Sequence, residues 1–413
     1  MLNELQEKAV NTEVPFLFLL AGAGTGKTRV IVERIKYLLS KGIDPEKILA
    51  ITFTNRASNE MRTRINNVKI AVHTFHQFCY QTLKKFSEYT YKIVDDDLPF
   101  NEEKLLQIAR YKNSNFKEKK PKYYERYQNY LDEQNMKDFD DLLIDFHHCF
   151  HKIKHHINYT HIFVDEFQDT NHLQYLIIKK MKEKDTRIFC VGDPDQSIYR
   201  FRGAEDKIIE LFVKEFHAKI FTLTTNYRSN HHIIKLANGL IKINNGRYSK
   251  RLIAEVTGDS KPIITCFTDS YSEAMSITKS IQMFLKKGMK PREIAVLFRN
   301  HYRSYALRET LDKHDIIYQS EVLKNIDENK INLLSIHQAK GLEFSVVFII
   351  GLEQKSLPSY HAVTRFDYQE ERRLFFVAIT RAKQHLFLSH IQFNNESEHI
   401  KKSVFLNEIK RFV

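Results

Sequence analysis

Short apolar runs alternate along the chain with segments in which apolar residues recur every three or four positions. The runs are rich in β-branched and aromatic residues, which is typical of strands buried on both faces of a parallel sheet. In segment 28–40 the apolar residues follow a helical period, which predicts an amphipathic helix after the first run. The alternation predicts an α/β fold with parallel sheets. The predicted strands are 16–20, 48–52, 161–164, 187–191, 219–223, 263–267, 294–298, 332–336, 345–350 and 386–389.

These strands fall into two series, which predicts two tandem α/β domains over residues 1–225 and 226–413. Residues from about 80 to 157 are rich in Lys, Tyr and His and poor in strand signals, so they are predicted to be a helical insertion in the first domain.

Two groups of side chains in this insertion allow more than one interpretation. Tyr123, Tyr127 and Tyr130 recur at helical spacing, and a core stripe is favoured over a base-stacking platform. The histidines of 147–156, with Cys149, could suggest a metal site. Because no zinc-type pairing of Cys and His repeats there, solvated helix faces are favoured.

Composition limits the class of protein. The 413 residues include 64 Lys and Arg against 51 Asp and Glu, a net charge of +13 that can attract polyanions such as nucleic acid. The apolar runs are too short to span a bilayer, and the N-terminal segment has no apolar signal region. The four cysteines stand alone, so neither a disulfide framework nor a Cys-rich zinc site is expected. We therefore expect a cytoplasmic protein.

The string AGAGTGKT at 21–28 lies between a predicted strand and a predicted helix, the context that a phosphate-binding loop requires. Its glycines let backbone N–H groups turn toward phosphate oxygens, and the helix N-terminus adds its dipole. Lys27 would place a charge at the β- and γ-phosphates of a nucleotide, and the Thr28 hydroxyl can bind Mg²⁺. The other predicted loop residues are Ala21, Gly22, Ala23, Gly24, Thr25 and Gly26.

A magnesium site needs a second ligand, and the string HIFVDEFQDT at 161–170 supplies one. Asp165 closes a predicted strand and is placed to bind Mg²⁺ directly or through water. Glu166 is adjacent and can act as the general base for an attacking water. A Mg²⁺-dependent site for nucleotide phosphates is therefore predicted from these two strings together.

Further strings follow in a fixed order, and together they resemble the motifs of the UvrD/Rep/PcrA group of superfamily 1 DNA helicases. The resemblance runs from residue 2 to about residue 390. The strings are LNELQEKAV (2–10), TFTNRASNEMRTR (52–64), HTFHQF (73–78), DFDDLL (138–143), GDPDQSIYRFRGA (192–204), TTNYRSN (224–230), LLSIHQAKGLEFSVVFIIGL (333–352) and EERRLFFVAITRAKQHLFL (370–388).

The resemblance implies two RecA-like P-loop NTPase domains, with ATP bound in the cleft between them and single-stranded DNA across the top. It implies that Gln6 reads the adenine edge, and Gln can hydrogen-bond such an edge. Arg29 and Tyr227 would sandwich the ring with their planar faces. Glu343 would contact the ribose.

Three further residues are implied to act near the γ-phosphate. Gln196 would sense it and connect it to the DNA site. Arg228 and Arg381 would approach it from the second domain as arginine fingers, which can be worth about 10³–10⁵ in rate.

The DNA-contacting residues that the resemblance implies include aromatic side chains, which stack on bases with little sequence preference. The family usually has Trp where this chain has Phe201, and the chain contains no Trp. The implied residues are Phe53, Thr54, Asn55, Thr74, His76, Tyr199, Phe201 and Arg202.

One departure from the family pattern is a missing subdomain. Family members carry a folded, mobile subdomain in the second RecA-like domain, whereas here the short polar linker 319–332 bridges the flanking motifs. The leading interpretation is an ATP-driven single-stranded DNA translocase and helicase, moving 3′ to 5′, in DNA repair, replication or defence. The alternative is a DNA-stimulated ATPase sensor subunit, for example beside a nuclease in phage defence, with little unwinding of its own.

Overall fold

The structure is a computed structural model that describes residues 1–94, 98–200, 204, 207–321, 326–394 and 396–413. It divides into two compact units. The first unit comprises Met1–Ala21, Gly26–Asp193 and Tyr199–Leu223, and the second comprises Gly22–Thr25, Pro194–Ile198 and Thr224–Val413. Each unit contains a parallel β-sheet flanked by helices, so the predicted α/β class is confirmed.

The main sheet of the first unit has the strand order β3-β2-β6-β7-β1-β8, and β4 pairs separately with β5. All of these pairs are parallel. The strands are β1 (Phe16–Ala21), β2 (Ile48–Thr52), β3 (Ala71–Thr74), β4 (Lys92–Ile93), β5 (Met136–Lys137), β6 (His161–Val164), β7 (Arg187–Gly192) and β8 (Lys219–Leu223).

Helices flank the sheet of the first unit and make up most of its insertion. The apolar face of the predicted helix after β1 packs through Val30, Ile31 and Ile35 onto Leu17 and Leu19 in one buried cluster. The helices are α1 (Glu4–Asn11), α2 (Lys27–Ser40), α3 (Asn55–Ile65), α4 (Phe75–Phe86), α5 (Glu102–Asn113), α6 (Tyr124–Glu133), α7 (Phe139–Ile153), α8 (His172–Lys180) and α9 (Ile208–Phe216).

The insertion is mainly helical, as predicted. Tyr127 is buried in a small core there, with Tyr123 and Tyr130 packed against it, so the interpretation of this stripe as core is confirmed. Within the described residues, no group of three or more His, Cys, Asp or Glu side chains could hold a metal ion. His148, His151, His155 and His156 are exposed, and His147 is partly buried.

The main sheet of the second unit has the order β11-β16-β15-β12-β14-β13, and β10 pairs separately with β9. Its strands are β9 (Thr225–Asn230), β10 (Ile253–Val256), β11 (Ile263–Phe267), β12 (Ile294–Phe298), β13 (Tyr318–Gln319), β14 (Ile331–Ser335), β15 (Phe344–Ile349) and β16 (Ala382–Ile391). Its helices are α10 (His231–Ile241), α11 (Ser270–Lys286), α12 (Tyr305–Lys313), α13 (Arg365–Ile379) and α14 (Val404–Ile409).

Every strand predicted from the apolar runs is found, with ends that differ by a few residues at most. The strands that the runs did not predict are the short or polar ones: β3, β4, β5, β9, β10 and β13. In the part of the chain that the structure describes, no helix has the length and apolar character needed to cross a lipid bilayer.

Candidate functional site

The loop between β1 and α2 forms where the predicted phosphate-binding string lies. Gly24 and Gly26 adopt left-handed backbone angles, with φ of 67° and 82°, and Gly26 is the N-cap of α2. Such angles strain a residue that carries a Cβ atom, which explains the glycines at these two positions. Lys27 and Thr28 therefore begin the helix, where backbone N–H groups and the helix dipole attract anions.

Two acidic residues follow the C-terminal end of β6 and meet this helix end within the first unit. The Thr28 hydroxyl donates to Asp165 Oδ2 at 3.3 Å, and Lys27 Nζ lies 3.6 Å from Glu166 Oε1. Burial raises the pKa of Asp165, and so does the neighbouring Glu166, to about 7, although Lys27 and Thr28 act in the opposite direction. The structure therefore brings four of the predicted site residues together.

A hydroxyl oxygen and a carboxylate oxygen in contact are ligands that Mg²⁺ prefers. Thr28 and Asp165 provide this pair, and Asp165 is a buried carboxylate beside a second one. The residues therefore fit the predicted magnesium site.

Glu166 has an unusual backbone conformation for a residue with a side chain. Its φ of 50° and ψ of 41° lie in the left-handed region, which costs non-glycine residues free energy and is enriched at functional sites. The strand prediction before Asp165 did not indicate this feature.

The two candidate base-contacting residues of the first unit differ in exposure. Gln6 is buried, and its Oε1 accepts from the Asn3 backbone N–H at 3.0 Å in a capping box of α1. Its Nε2 lies 3.1 Å from the position that a Cβ atom on Gly26 would take, so Gln6 reaches the loop. Arg29 is exposed. The capping role of Gln6 was not predicted, although the spacing of Asn3 and Gln6 is a capping-box pattern.

In the second unit, Arg228 and Glu343 form an ion pair. Arg228 Nε lies 2.7 Å from Glu343 Oε2, and Lys383 Nζ lies 2.7 Å from Glu343 Oε1. Burial raises the pKa of Glu343, but Arg228 and Lys383 outweigh this effect and lower it to about 2. Tyr227, next to Arg228, has 42% of its surface exposed.

The other site residues of the second unit are more buried. Arg381 is 1% exposed, and its Nη2 donates to Gln196 Oε1 at 3.3 Å. Its Nε and Nη1 donate to the backbone oxygens of Val377 and Leu342. Loop residues Gly22–Thr25 also belong to this unit, where Thr25 Oγ1 donates to Gly22 O at 2.9 Å.

Among the predicted DNA-contacting residues, Phe53 and Tyr199 lie together in the first unit. Their ring centroids are 5.0 Å apart with an interplanar angle of 19°, and both rings are partly exposed. Asn55 Oδ1 accepts from Gln77 Nε2 at 2.8 Å. Phe201 and Arg202 lie outside the described residues.

The remaining predicted DNA contacts also have local structural roles. Thr54 and Thr74 are the N-caps of α3 and α4. The His76 ring packs 5.0 Å from that of Phe139, and burial lowers the pKa of His76 to about 4 although Asp138 opposes the shift. His76 is therefore neutral near pH 7 and could contact DNA only as a neutral ring.

A cavity in the second unit combines basic and aromatic side chains that the motif reasoning did not single out. It has a volume of about 480 Å³ and lies where β12 and β14 end. Its lining includes Arg299, His301, Tyr302, His337, Lys355 and Tyr360. A charge pattern could not have located it, because its lining residues are separated by up to 62 positions and only the fold brings them together.

Comparison with protein-family models gives two matches. The UvrD/REP helicase N-terminal domain matches residues 2–96 and 85–217, and the UvrD-like helicase C-terminal domain matches residues 221–325 and 317–393. The two C-terminal segments overlap at residues 317–325, around the start of the linker 319–332.

Curated relatives align over much of the chain. A protein of Mycoplasma pneumoniae described as a probable DNA helicase is 33% identical over 99% of this chain and 87% of its own length. The ATP-dependent DNA helicase Rep of Buchnera aphidicola is 30% identical over 100% of this chain and 70% of its own. DNA helicase II of Escherichia coli is 33% identical over 77% of this chain but 51% of its own length.

The family models cover most of the chain, and two relatives at 30% identity or more are themselves covered over more than two thirds of their length. The motifs named above therefore lie within segments that match this family, and the predicted pair of RecA-like domains is confirmed. The chain belongs to the UvrD/Rep helicase family.

Proposed function

We propose that this protein is an ATP-dependent DNA helicase of the Rep/PcrA/UvrD type, which uses ATP hydrolysis to move along single-stranded DNA. The observation that carries the proposal is the meeting of Lys27, Thr28, Asp165 and Glu166 at one end of the first unit's sheet. Phosphate-binding groups, an acid suited to a cation and a base for water are the parts that nucleoside triphosphate hydrolysis needs.

Each of these residues has a chemical task in the proposed reaction. The N-terminus of α2 and Lys27 hold the phosphates, because both present positive charge to them. Glu166 would accept the proton of the attacking water, and its carboxylate lies 3.6 Å from Lys27 Nζ. Thr28 and Asp165 would hold Mg²⁺, which supplies positive charge to the phosphate oxygens.

The arginine fingers are part of the proposal too. Arg228 and Arg381 would stabilise negative charge that develops on the γ-phosphate, and Gln196 would report its presence. The hydrogen bond between Arg381 and Gln196 supports treating these two as one group. The base would be bound by Gln6, Arg29 and Tyr227, and Glu343 would contact the ribose.

Single-stranded DNA is the nucleic acid along which the protein is proposed to move. The net charge of +13 supports attraction of a polyanion, and the partly exposed pair of Phe53 and Tyr199 supports stacking on bases. The basic and aromatic cavity of the second unit supports a further contact region. The direction of movement, 3′ to 5′, is proposed from the family resemblance.

The sensor-subunit alternative is not favoured, because relatives that align over 99% and 100% of the chain carry helicase names. Strand displacement distinguishes the two. Purified protein with ATP and Mg²⁺ should release a labelled strand from a duplex with a 3′ single-stranded tail more readily than from one with a 5′ tail. ATPase stimulation by DNA without strand release would support the sensor instead.

The ATP site is tested by Lys27→Ala and Glu166→Gln, measured by phosphate release and by ADP titration calorimetry. Both variants should lose hydrolysis. Lys27→Ala should also weaken ADP binding because it removes phosphate-binding charge, whereas Glu166→Gln keeps the side chain's shape and should bind ADP normally. Lys36→Ala, an exposed change on the same helix, is the matched control. Hydrolysis near the wild-type rate in either site variant would refute the assignment.

A further inference from the structure

Gln168 is a buried side chain beside the proposed general base to which the function above gives no task. It lies in the short 3₁₀ turn Phe167–Asp169 and is 2% exposed. A side-chain amide has a donor end and an acceptor end, and both must be satisfied when it is buried. The partners at the two ends therefore show what the side chain does.

The donor end of Gln168 contacts Glu166. Nε2 donates to Glu166 Oε2 at 2.6 Å and to Asp169 Oδ2 at 3.2 Å. On the other side of the same carboxylate, Lys27 Nζ lies 3.6 Å from Glu166 Oε1. The Glu166 carboxylate is therefore held at both oxygens, by Lys27 and by Gln168.

The acceptor end of Gln168 is fixed to a rigid element. Oε1 accepts from the Asp193 backbone N–H at 2.9 Å, directly after β7 ends at Gly192. A Cβ atom on Gly192 would lie 2.5 Å from this oxygen, so the absence of a side chain at 192 is what admits the amide. Because β7 pairs with both β1 and β6, its end is a fixed point in the first unit.

We propose that Gln168 is a positioning residue that sets the orientation of the Glu166 carboxylate by connecting it to the end of β7. The backbone of Glu166 is in the left-handed region, a conformation that costs free energy and persists only where the surrounding structure fixes it. Gln168 touches neither nucleotide nor water in this role. The inference rests on the proposed role of Glu166 in ATP hydrolysis.

Orientation of a base affects the chemical step more than binding of the nucleotide. A displacement of about 1 Å in a reacting group can cost about 10²-fold in rate. Loss of the amide donor should therefore lower kcat by about 10–100-fold, with little change in the KM for ATP. A role confined to folding would lower the melting temperature and leave kcat of the folded enzyme unchanged.

Two variants of Gln168 separate the two ends of its amide. Gln168→Glu keeps an oxygen that can accept from Asp193 but replaces the donor to Glu166 with a second carboxylate. Gln168→Met keeps the length and packing of the side chain and removes its hydrogen bonds to Glu166, Asp169 and Asp193. Both should show the loss of kcat, with ADP affinity by calorimetry close to that of the wild type.

The control is Gln174, a second buried glutamine of the same unit. Its Oε1 accepts from the Asn171 backbone N–H at 3.1 Å in the cap of α8, away from the Glu166 carboxylate. Gln174→Met should lower the melting temperature and leave kcat unchanged.

Gly192→Ala tests the same contact from strand β7. It should lower kcat as Gln168→Met does, because the new methyl group displaces the Gln168 amide.

The experiment is steady-state ATPase kinetics of the full chain with single-stranded DNA, alongside thermal unfolding of each variant. Loss of kcat in Gln168→Glu and Gln168→Met, but not in Gln174→Met, supports the inference. Wild-type kcat in Gln168→Glu, or an equal loss in Gln174→Met, overturns it. If Gln168→Met does not fold, Gln168→Glu and Gly192→Ala decide the question.

Glu166→Gln separates failure of this inference from failure of the proposed function. An inactive Glu166→Gln beside a fully active Gln168→Glu would refute the positioning role alone. A Glu166→Gln variant that hydrolyses ATP at the wild-type rate would refute the proposed function itself.

Discussion

Two carboxylates that are predicted to serve nucleotide binding, one in each unit, lie in opposite electrostatic environments. Asp165 in the first unit is 6% exposed and has a second carboxylate, Glu166, beside it, and its pKa is raised to about 7. Glu343 in the second unit is flanked by Arg228 and Lys383, and its pKa is lowered to about 2. The same chemical group is thus destabilised as an anion in one unit and stabilised in the other.

This difference indicates which kind of ligand each group of charges would attract. Asp165 and Glu166 in the first unit have one nearby cation, Lys27. A bound divalent cation would neutralise the remaining negative charge of this pair. The Arg228, Glu343 and Lys383 group already has more positive than negative charge, so it can attract the phosphates of a nucleotide. The predictions below test this contrast, beginning with the largest effect.

The largest effect is expected at Arg381, a buried cation in the same unit as Arg228 and Lys383. Arg381→Ala should lower ATP hydrolysis by about 10³-fold or more, because an arginine finger stabilises charge in the transition state. Binding of single-stranded DNA, followed by fluorescence anisotropy, should be retained. Arg292→Ala removes an exposed arginine of the same unit and should change neither. Full hydrolysis by Arg381→Ala would remove Arg381 from the proposed site.

The acidic side is tested through stability at Asp165. Asp165→Asn should abolish hydrolysis, yet in Mg²⁺-free buffer it should raise the free energy of unfolding by about 1 kcal/mol, or roughly 2–4 °C in melting temperature, because it relieves repulsion with Glu166 in a buried place. Thermal unfolding with and without Mg²⁺ measures this effect. A lower melting temperature in both buffers would contradict the contrast drawn above.

Glu343 should show the opposite sign and a smaller effect. Its folded pKa lies below the ordinary value of 4.5, so its ionised form stabilises the fold above about pH 4.5, and this contribution is lost as the pH falls toward 2. Glu343→Gln should therefore be slightly less stable than the wild type at pH 7 and closer to it at pH 3. The effect is small because 44% of the side chain is exposed. Glu309→Gln, in an exposed helical pair, is the control.

The contrast between apolar and polar segments explains what the sequence could predict. Apolar runs such as 16–20 and 294–298 predict strands because burial on both faces demands them. Strand β9 reads TNYRSN and has no such run. It is a strand because β10 pairs with it, and pairing between distant polar segments leaves no periodic signal.

In the candidate site, too, the sequence predicts local geometry but not contacts between distant residues. The string at 21–28 predicts its own local geometry, and the left-handed angles of Gly24 and Gly26 are those that a phosphate loop requires. The ion pair of Arg228 with Glu343 joins residues 115 positions apart, so the motifs could name both residues but not their contact. The contact of Gln168 with Asp193 was missed for the same reason.

The left-handed backbone of Glu166 has a consequence for engineering. For residues other than glycine and asparagine, this backbone conformation costs about 1–2 kcal/mol of free energy. A laboratory selection for heat resistance alone would therefore favour Gly or Asn at position 166 and would produce robust proteins that no longer turn over ATP. Libraries built to stabilise this protein should hold that codon fixed, or score activity alongside survival.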